Sequence, residues 1–239
     1  MKISKEKNLN THSVLAMRDS GYYSQRTIRA KIAIANMLPL IAKALQKIPK
    51  LPILRMADFG SADGGTSQEM WCNLINRIRK SKDDRQIEIL YTDLASNDFS
   101  TLFKTMQGMQ GDAELSFQNK FANVFVHGCG TGFHQQLMSS GTLSLGFSAT
   151  AMHYISEQPC QIKNHVQMVG ANSDEKTKFE DQALKDWESI LLSRSEELSE
   201  GGRFICLSFG IDEEGRYLGH TGGHSMFNKF TYHWKSLLS

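Results

Sequence analysis

The feature that most limits this fold is a repeated pattern: a short apolar run, an acid or glycines, then apolar residues at helical spacing. Residues 53–57 are followed by Asp58 and the glycines Gly60, Gly64 and Gly65. Residues 87–92 form a second run, closed by Asp93, and residues 123–127, 143–147 and 204–209 form three more. Short apolar runs bounded by turn residues read as buried strands. Residues 24–48 place Ile28, Ile32, Ala35, Leu38, Ile41, Leu45 and Ile48 at helical spacing, with Pro39 expected to kink the helix. Thr66 reads as an N-cap, with Glu69 completing a capping box ahead of Met70, Leu74 and Ile78. A later helix should bury Leu184, Trp187, Ile190, Leu191 and Leu198 on one face and stop at Gly201 and Gly202. Another helix is expected to begin around Thr231. This alternation predicts right-handed crossovers and a mostly parallel α/β sheet with helices on both faces. Ligands of such sheets bind beyond the carboxyl ends of the strands. That selects residues 58–66, 93–98, 128–134 and 148–154.

The 239 residues suffice for one good-sized domain. Residues 1–20 read as a polar N-terminal arm, and residues 21–239 as the domain. With 27 Lys and Arg against 25 Asp and Glu, the net charge of +2 leaves no basic face for nucleic acid. No apolar run approaches the roughly 20 residues of a membrane span, so no membrane partner is expected. Residues 1–10 carry no apolar secretory segment. Cys72, Cys129, Cys160 and Cys206 form no CxxC pair, so neither a disulfide framework nor a zinc cage is expected. The default setting is reducing and cytoplasmic. His220, His224 and His233 fit no metal-ligand spacing, so no metal is expected.

A glycine loop after the first strand lets a ligand approach the backbone. A carboxylate at the end of the second strand can accept both hydroxyls of a ribose. Gly60, Gly64 and Gly65 do not fit GxGxxG, which disfavours a nicotinamide dinucleotide. Asp58 and Asp63 would repel a phosphate and attract a cation. A phosphate-free nucleoside with a positive end, S-adenosylmethionine, fits better. The glycine loop alone reads equally well as a plain strand-to-helix turn, and Asp93 tips the balance. Asp63 itself reads as a turn residue, and Asn97, Asp98 and Phe99 as an N-cap pair and a packed aromatic.

Longer motifs then become visible. Thr92-Asp93-Leu94-Ala95-Ser96-Asn97-Asp98-Phe99-Ser100-Thr101-Leu102-Phe103 is similar to N-D-L-x-x-N-D-F-N-x-L-F. Residues 57–66 are similar to A-D-L-G-C-S-S-G-x-N, and residues 187–203 to F-L-x-x-R-x-x-E-L-x-x-G-G-R. Residues 130–134 fall at G-S-F-Y, residues 148–156 at S-S-Y-S-L-H-W-L-S, and residues 23–27 loosely at Y-A-x-N-S. These motifs, spread over about residues 22–209, resemble the plant-type small-molecule carboxyl methyltransferases acting on salicylate, jasmonate and benzoate. The caffeine-pathway N-methyltransferases are relatives of that family.

The resemblance implies a Rossmann-like S-adenosylmethionine-dependent methyltransferase sheet, with the family's helical cap largely missing from residues 210–239. It implies that Tyr23 and Thr27 close over the cofactor. Asp58 and Gly60, with Ser61 and Thr66, would hold its methionine end. Asp93 would bind the ribose, Leu94 would pack on adenine, and Gly132 and Phe133 would take the positions of the family's Ser-Phe. His153 and Tyr154 fall on the family's His-Trp pair facing the substrate, which makes His153 the candidate catalytic residue. Thr150 replaces a substrate-side tyrosine, and the family's substrate-binding glutamine falls at Ala30. The cofactor half is therefore kept better than the substrate half. The implied partner is a small carboxylic acid, with a homodimer as the candidate assembly. Two alternatives stay open: a non-catalytic or partner-dependent cofactor-binding remnant, and N-methylation of a small heterocycle.

Overall fold

In the computed structural model, residues 21–216 and 226–238 are described. The expected arm over residues 1–20, and His220 and His224, lie outside them. The elements in chain order are α1 (Tyr22–Arg26), α2 (Ile28–Leu45), β1 (Ile53–Phe59), α3 (Gln68–Lys80), β2 (Gln86–Thr92), α4 (Phe99–Met106), α5 (Phe117–Lys120), β3 (Val124–Cys129), β4 (Leu143–Ala149), α6 (Ser173–Glu197), β5 (Leu198–Leu207) and α7 (Met226–Leu238). All five strands pair in parallel, in the order β3-β2-β1-β4-β5. The chain moves outward from β1 through β2 to β3, then returns to the other side of β1 for β4. The order therefore reverses between β1 and β4, and at such a switch point open α/β sheets bind ligands in a crevice beyond the strands' carboxyl ends.

The sheet buries residues on alternate faces, as a two-residue period requires. Leu54 and Met56 of β1 pack with Ile87, Ile89 and Tyr91 of β2 against Ile34 and Ile41 of α2 and Met70, Trp71, Leu74, Ile75 and Ile78 of α3. Ala57 and Phe59 face the other way, toward Met152 and Ile190. The predicted strands and the stripe of α3 are thus observed, with shifted ends.

Five local expectations are corrected. The helix expected over 24–48 is broken at Thr27, whose φ of −100° and ψ of 46° separate α1 from α2, and Ile28 and Ile32 stay exposed. The N-cap of α3 is Ser67 rather than Thr66, and no side-chain cap forms. Ser67 instead donates its hydroxyl to the buried Asp58 carboxylate, and Thr66 meets Thr27. The carboxylate draws the Ser67 hydroxyl toward it, because a hydrogen bond to an ionised acceptor is stronger than one between neutral groups.

The third correction concerns α6. Leu184 and Leu192 are 69% and 65% exposed, and Trp187 and Leu191 also face outward. The buried stripe is Asp186, Ile190, Arg194 and Glu197, which is mostly charged. Those charges are buried because they hold loops, as described below. The fourth correction follows from it: α6 ends at Glu197, and Gly201 and Gly202 lie inside β5. Between Leu143 and Leu145 of β4 the partner on β5 advances from Leu198 to Arg203, so the glycines form a bulge. Gly201 has φ +71°, and a Cβ on Gly202 would stand 2.8 Å from the Leu143 carbonyl oxygen. The last expected helix is α7, starting at Met226 rather than near Thr231.

Candidate functional site

The loop after β1 is folded onto the end of β2. Gly60 and Ser61 both donate their N–H to the Thr92 carbonyl, at 2.9 and 3.0 Å. Gly60 has φ +75°, and a Cβ there would stand 2.3 Å from Cβ of Ala151 and 3.5 Å from the Phe133 ring. Glycine is therefore required where the loops after β1, β3 and β4 converge. Ala62 holds a left-handed φ of 49°. Its N–H donates to Asp93 Oδ2 at 2.7 Å, and its carbonyl accepts from Asn97 Nδ2 at 2.9 Å. Asn97 thus braces the loop, while Asp98 alone caps α4 by accepting from the Thr101 N–H. The expected cap pair is in this way divided between two tasks.

Asp93 accepts from Ala62 on one oxygen and from the Leu94 N–H on the other, at 2.8 Å. Each oxygen keeps a lone pair for a further donor. Burial raises its pKa, and the two backbone bonds oppose that rise. Leu94, exposed beside it, lies 3.4 Å from where a Cβ on Gly132 would stand. The loops after β2 and β3 are therefore in contact.

Asp58 lies beneath the loop. Its Oδ2 accepts from the Ser67 hydroxyl at 2.5 Å and from Trp71 Nε1 at 2.9 Å. Burial pushes its pKa up to about 6, against the pull of those two hydrogen bonds, and the Asp93 charge adds to the rise. Asp63 is a turn residue, as expected, accepting from the Gly65 N–H at 3.1 Å. It also accepts from the Ser24 N–H at 3.0 Å and so holds the N-terminal segment down. The hydroxyls of Thr27 and Thr66 meet at 3.3 Å.

Above the crevice, the Tyr23 hydroxyl is hydrogen-bonded to the Thr150 side chain. Burial raises its pKa, and the charges of Asp63 and Asp93 and the neighbouring Tyr154 raise it further. Thr150 sits at φ 52°, a strained value for a β-branched residue, at the end of β4. His153 lies between the rings of Tyr154 and Phe209, with centroids 4.4 and 5.0 Å away. Burial lowers its pKa from 6.5. His134 Nε2 bonds the Tyr154 carbonyl at 3.1 Å, which joins this group to the loop after β3.

Residues remote in sequence, Tyr23, Thr27, Asp58, Gly60, Ser61, Thr66, Asp93, Leu94, Gly132, Phe133, Thr150, His153 and Tyr154, all lie along the carboxyl edge of the sheet. The sequence reading selected the segments that hold Ser24, His134 and Ala151 but gave these residues no individual role, and it left Phe209 out of the site. Their contacts come from loops that meet only in the folded chain, as His134 meets the Tyr154 carbonyl and Phe209 the His153 ring. No Lys or Arg occurs in residues 57–70, 91–103 or 128–154. The charged groups of the crevice are thus Asp58, Asp63 and Asp93, with glycines where the backbone must be approached. That donor set fits a cationic nucleoside without phosphates, and it disfavours a phosphate-bearing one.

Among the described residues, no group of three or more His, Cys, Asp and Glu could hold a metal ion. No described helix is long and apolar enough to cross a membrane.

Known proteins are similar to this chain in sequence and in fold. Methyltransferase FUS9 of Gibberella moniliformis is 32% identical over 196 residues, covering 81% of this chain and 51% of that protein. Gibberellic acid methyltransferase 2 of Arabidopsis thaliana is 25% identical, covering 83% of this chain and 56% of that protein. The chain spans about half the length of these curated relatives. A solved structure of loganic acid methyltransferase with SAH has the same fold, with TM-score 0.73 at 18% identity over 93% of this chain and 66% of that one. The profile of the SAM dependent carboxyl methyltransferases matches residues 17–239. The chain therefore belongs to the SAM-dependent carboxyl methyltransferase family.

Proposed function

We propose that this chain moves a methyl group from S-adenosylmethionine to the carboxylate of a small organic acid. The observation that carries the reading is the convergence of Asp63, Asp93 and Tyr23 beside glycine-containing strand-end loops, residues 57–70, 91–103 and 128–154, that contain no Lys or Arg. When bound, S-adenosylmethionine supplies an electrophilic methyl group on a sulfonium. Asp93 takes the ribose hydroxyls, while Leu94, Gly132 and Phe133 enclose the adenine. Gly60, Ser61 and Thr66 line the methionine end, and Asp58 acts on it from below through its charge. Tyr23 and Thr27 close from the N-terminal segment.

The acceptor needs no general base. A carboxylic acid with a pKa of about 4 is already ionised at neutral pH. The protein's contribution is to align it and exclude water. His153 is suited to this because its lowered pKa keeps the imidazole neutral, with an N–H to donate to the carboxylate. Tyr154 and Thr150 line the acceptor side. A homodimer, a small acid as the partner, and a reducing, cytoplasmic setting belong to the same proposal. All four cysteines are free, which fits that setting.

A second reading, cofactor binding without transfer, is favoured by Ala30, Thr150 and Tyr154 standing where the family carries glutamine, tyrosine and tryptophan. The test is transfer from methyl-labelled cofactor to a panel of aromatic and aliphatic acids and nitrogen heterocycles. A product that loses its label under mild base is a methyl ester and supports the proposal. A base-stable product means N-methylation instead. Cofactor binding with no labelled product across the panel supports the second reading.

A further inference from the structure

Among the described residues, the most heavily bonded buried charges lie outside the crevice, on α6. Arg194 is 1% exposed and Glu197 is 0% exposed. Burying an ion pair carries a desolvation penalty that a leucine would avoid, yet α6 turns its leucines outward. The bonds explain the choice. Arg194 donates from Nε and Nη2 to the two Glu197 oxygens, both at 2.7 Å. It also donates from Nη1 to the Phe133 carbonyl at 2.8 Å and from Nη2 to the Gln135 carbonyl at 2.9 Å. Glu197 Oε1 accepts the N–H groups of Leu137 and Met138 at 2.5 and 3.2 Å. Four backbone groups of one irregular segment, residues 133–138, are thereby fixed to a rigid helix. The guanidinium also lies 4.2 Å from the centroid of the Phe59 ring, the last residue of β1 before Gly60. One side chain therefore sets the distance between the end of β1 and Phe133.

We propose that Arg194 and Glu197 are positioning residues for the cofactor: they hold residues 133–138 so that the Phe133 ring stands across from Gly60 as the adenine wall. This rests on the reading of the crevice given above. The paired charges suit this role better than apolar contacts, because hydrogen bonds to backbone fix orientation as well as distance.

The test is calorimetric binding of S-adenosylhomocysteine to the full chain and to Arg194→Lys, Glu197→Gln, Phe133→Ala and the Glu197→Gln/Phe133→Ala double variant. Unfolding is followed in parallel, so that affinity is read only on folded protein. Arg194→Lys and Glu197→Gln are each expected to weaken binding about tenfold or more. In the Phe133→Ala background Glu197→Gln should cost nothing further, since residues in one network do not add. Undiminished affinity in the folded single variants, or losses that add in the double variant, overturns the inference. Hydrogen exchange on the unaltered chain needs no variant. Ligand should protect the amides of 133–138, and no change there counts equally against the inference. If the unaltered chain does not bind S-adenosylhomocysteine, it is the reading of the crevice that fails.

Discussion

Asp58 offers the best-defined electrostatic prediction. Its carboxyl is fully buried and titrates at about 6, against 3.8 when free. The folded state therefore takes up the proton first on acidification. Stability from this group is complete below the free pKa and is lost as pH rises through the folded one. The difference, about two pKa units, corresponds to about 3 kcal/mol in total. About 1.4 kcal/mol of that falls between about pH 5 and about pH 8. Asp58→Asn removes the titration while keeping an oxygen for Ser67 and Trp71. Its amide also introduces an offset of its own, but one that does not vary with pH. Urea unfolding of both proteins across that range should therefore show Asp58→Asn gaining about 1.4 kcal/mol on the unaltered chain toward the alkaline end. A stability difference independent of pH would refute the assignment of a raised pKa to this buried acid.

Other outcomes follow from the same structure. Ser67→Ala removes the stronger of the two hydrogen bonds that lower the Asp58 pKa, so the pH midpoint of that stability difference should move up. His153→Ala should slow methyl transfer strongly and leave the calorimetric affinity for S-adenosylhomocysteine nearly unchanged; equal loss of both would remove His153 from the acceptor side. Ile190→Ala should destabilise by about 2–5 kcal/mol in urea unfolding, since it empties a core position. Leu192→Glu should change stability by less than about 0.5 kcal/mol, and the opposite ranking would contradict the observed face of α6.

The strands and α3 were legible in the sequence because each has a strong period and is punctuated by Asp58, Asp93 or glycine. The juxtaposition of the candidate residues was legible for a related reason: parallel strands bring their carboxyl ends together, so residues just after Phe59, Thr92, Cys129 and Ala149 had to meet. What was not legible depended on tertiary competition. Thr66 and Glu69 spell a capping box, but Asp58, eight positions before Thr66, takes the hydroxyl of Ser67, the actual N-cap residue. The α6 pattern has two candidate faces, and leucine content favours the wrong one. Arg194 and Glu197 face inward because residues 133–138 carry backbone groups that need partners, and that need is invisible in the helix itself. Gly201 and Gly202 resemble a helix stop, yet they let β5 bulge around Pro49 and Leu143.

The central claim concerns the ligand of the crevice, and binding to Asp93→Ala tests it most directly. The two Asp93 oxygens are acceptors at the end of β2, and losing a charge-assisted contact of this kind removes about 1.5–3 kcal/mol, or about 10- to 150-fold in affinity. Calorimetry should show the unaltered chain binding one S-adenosylhomocysteine and ignoring NAD, with Asp93→Ala weakened by that factor. Binding that survives the substitution intact, or a preference for the dinucleotide, would contradict the account.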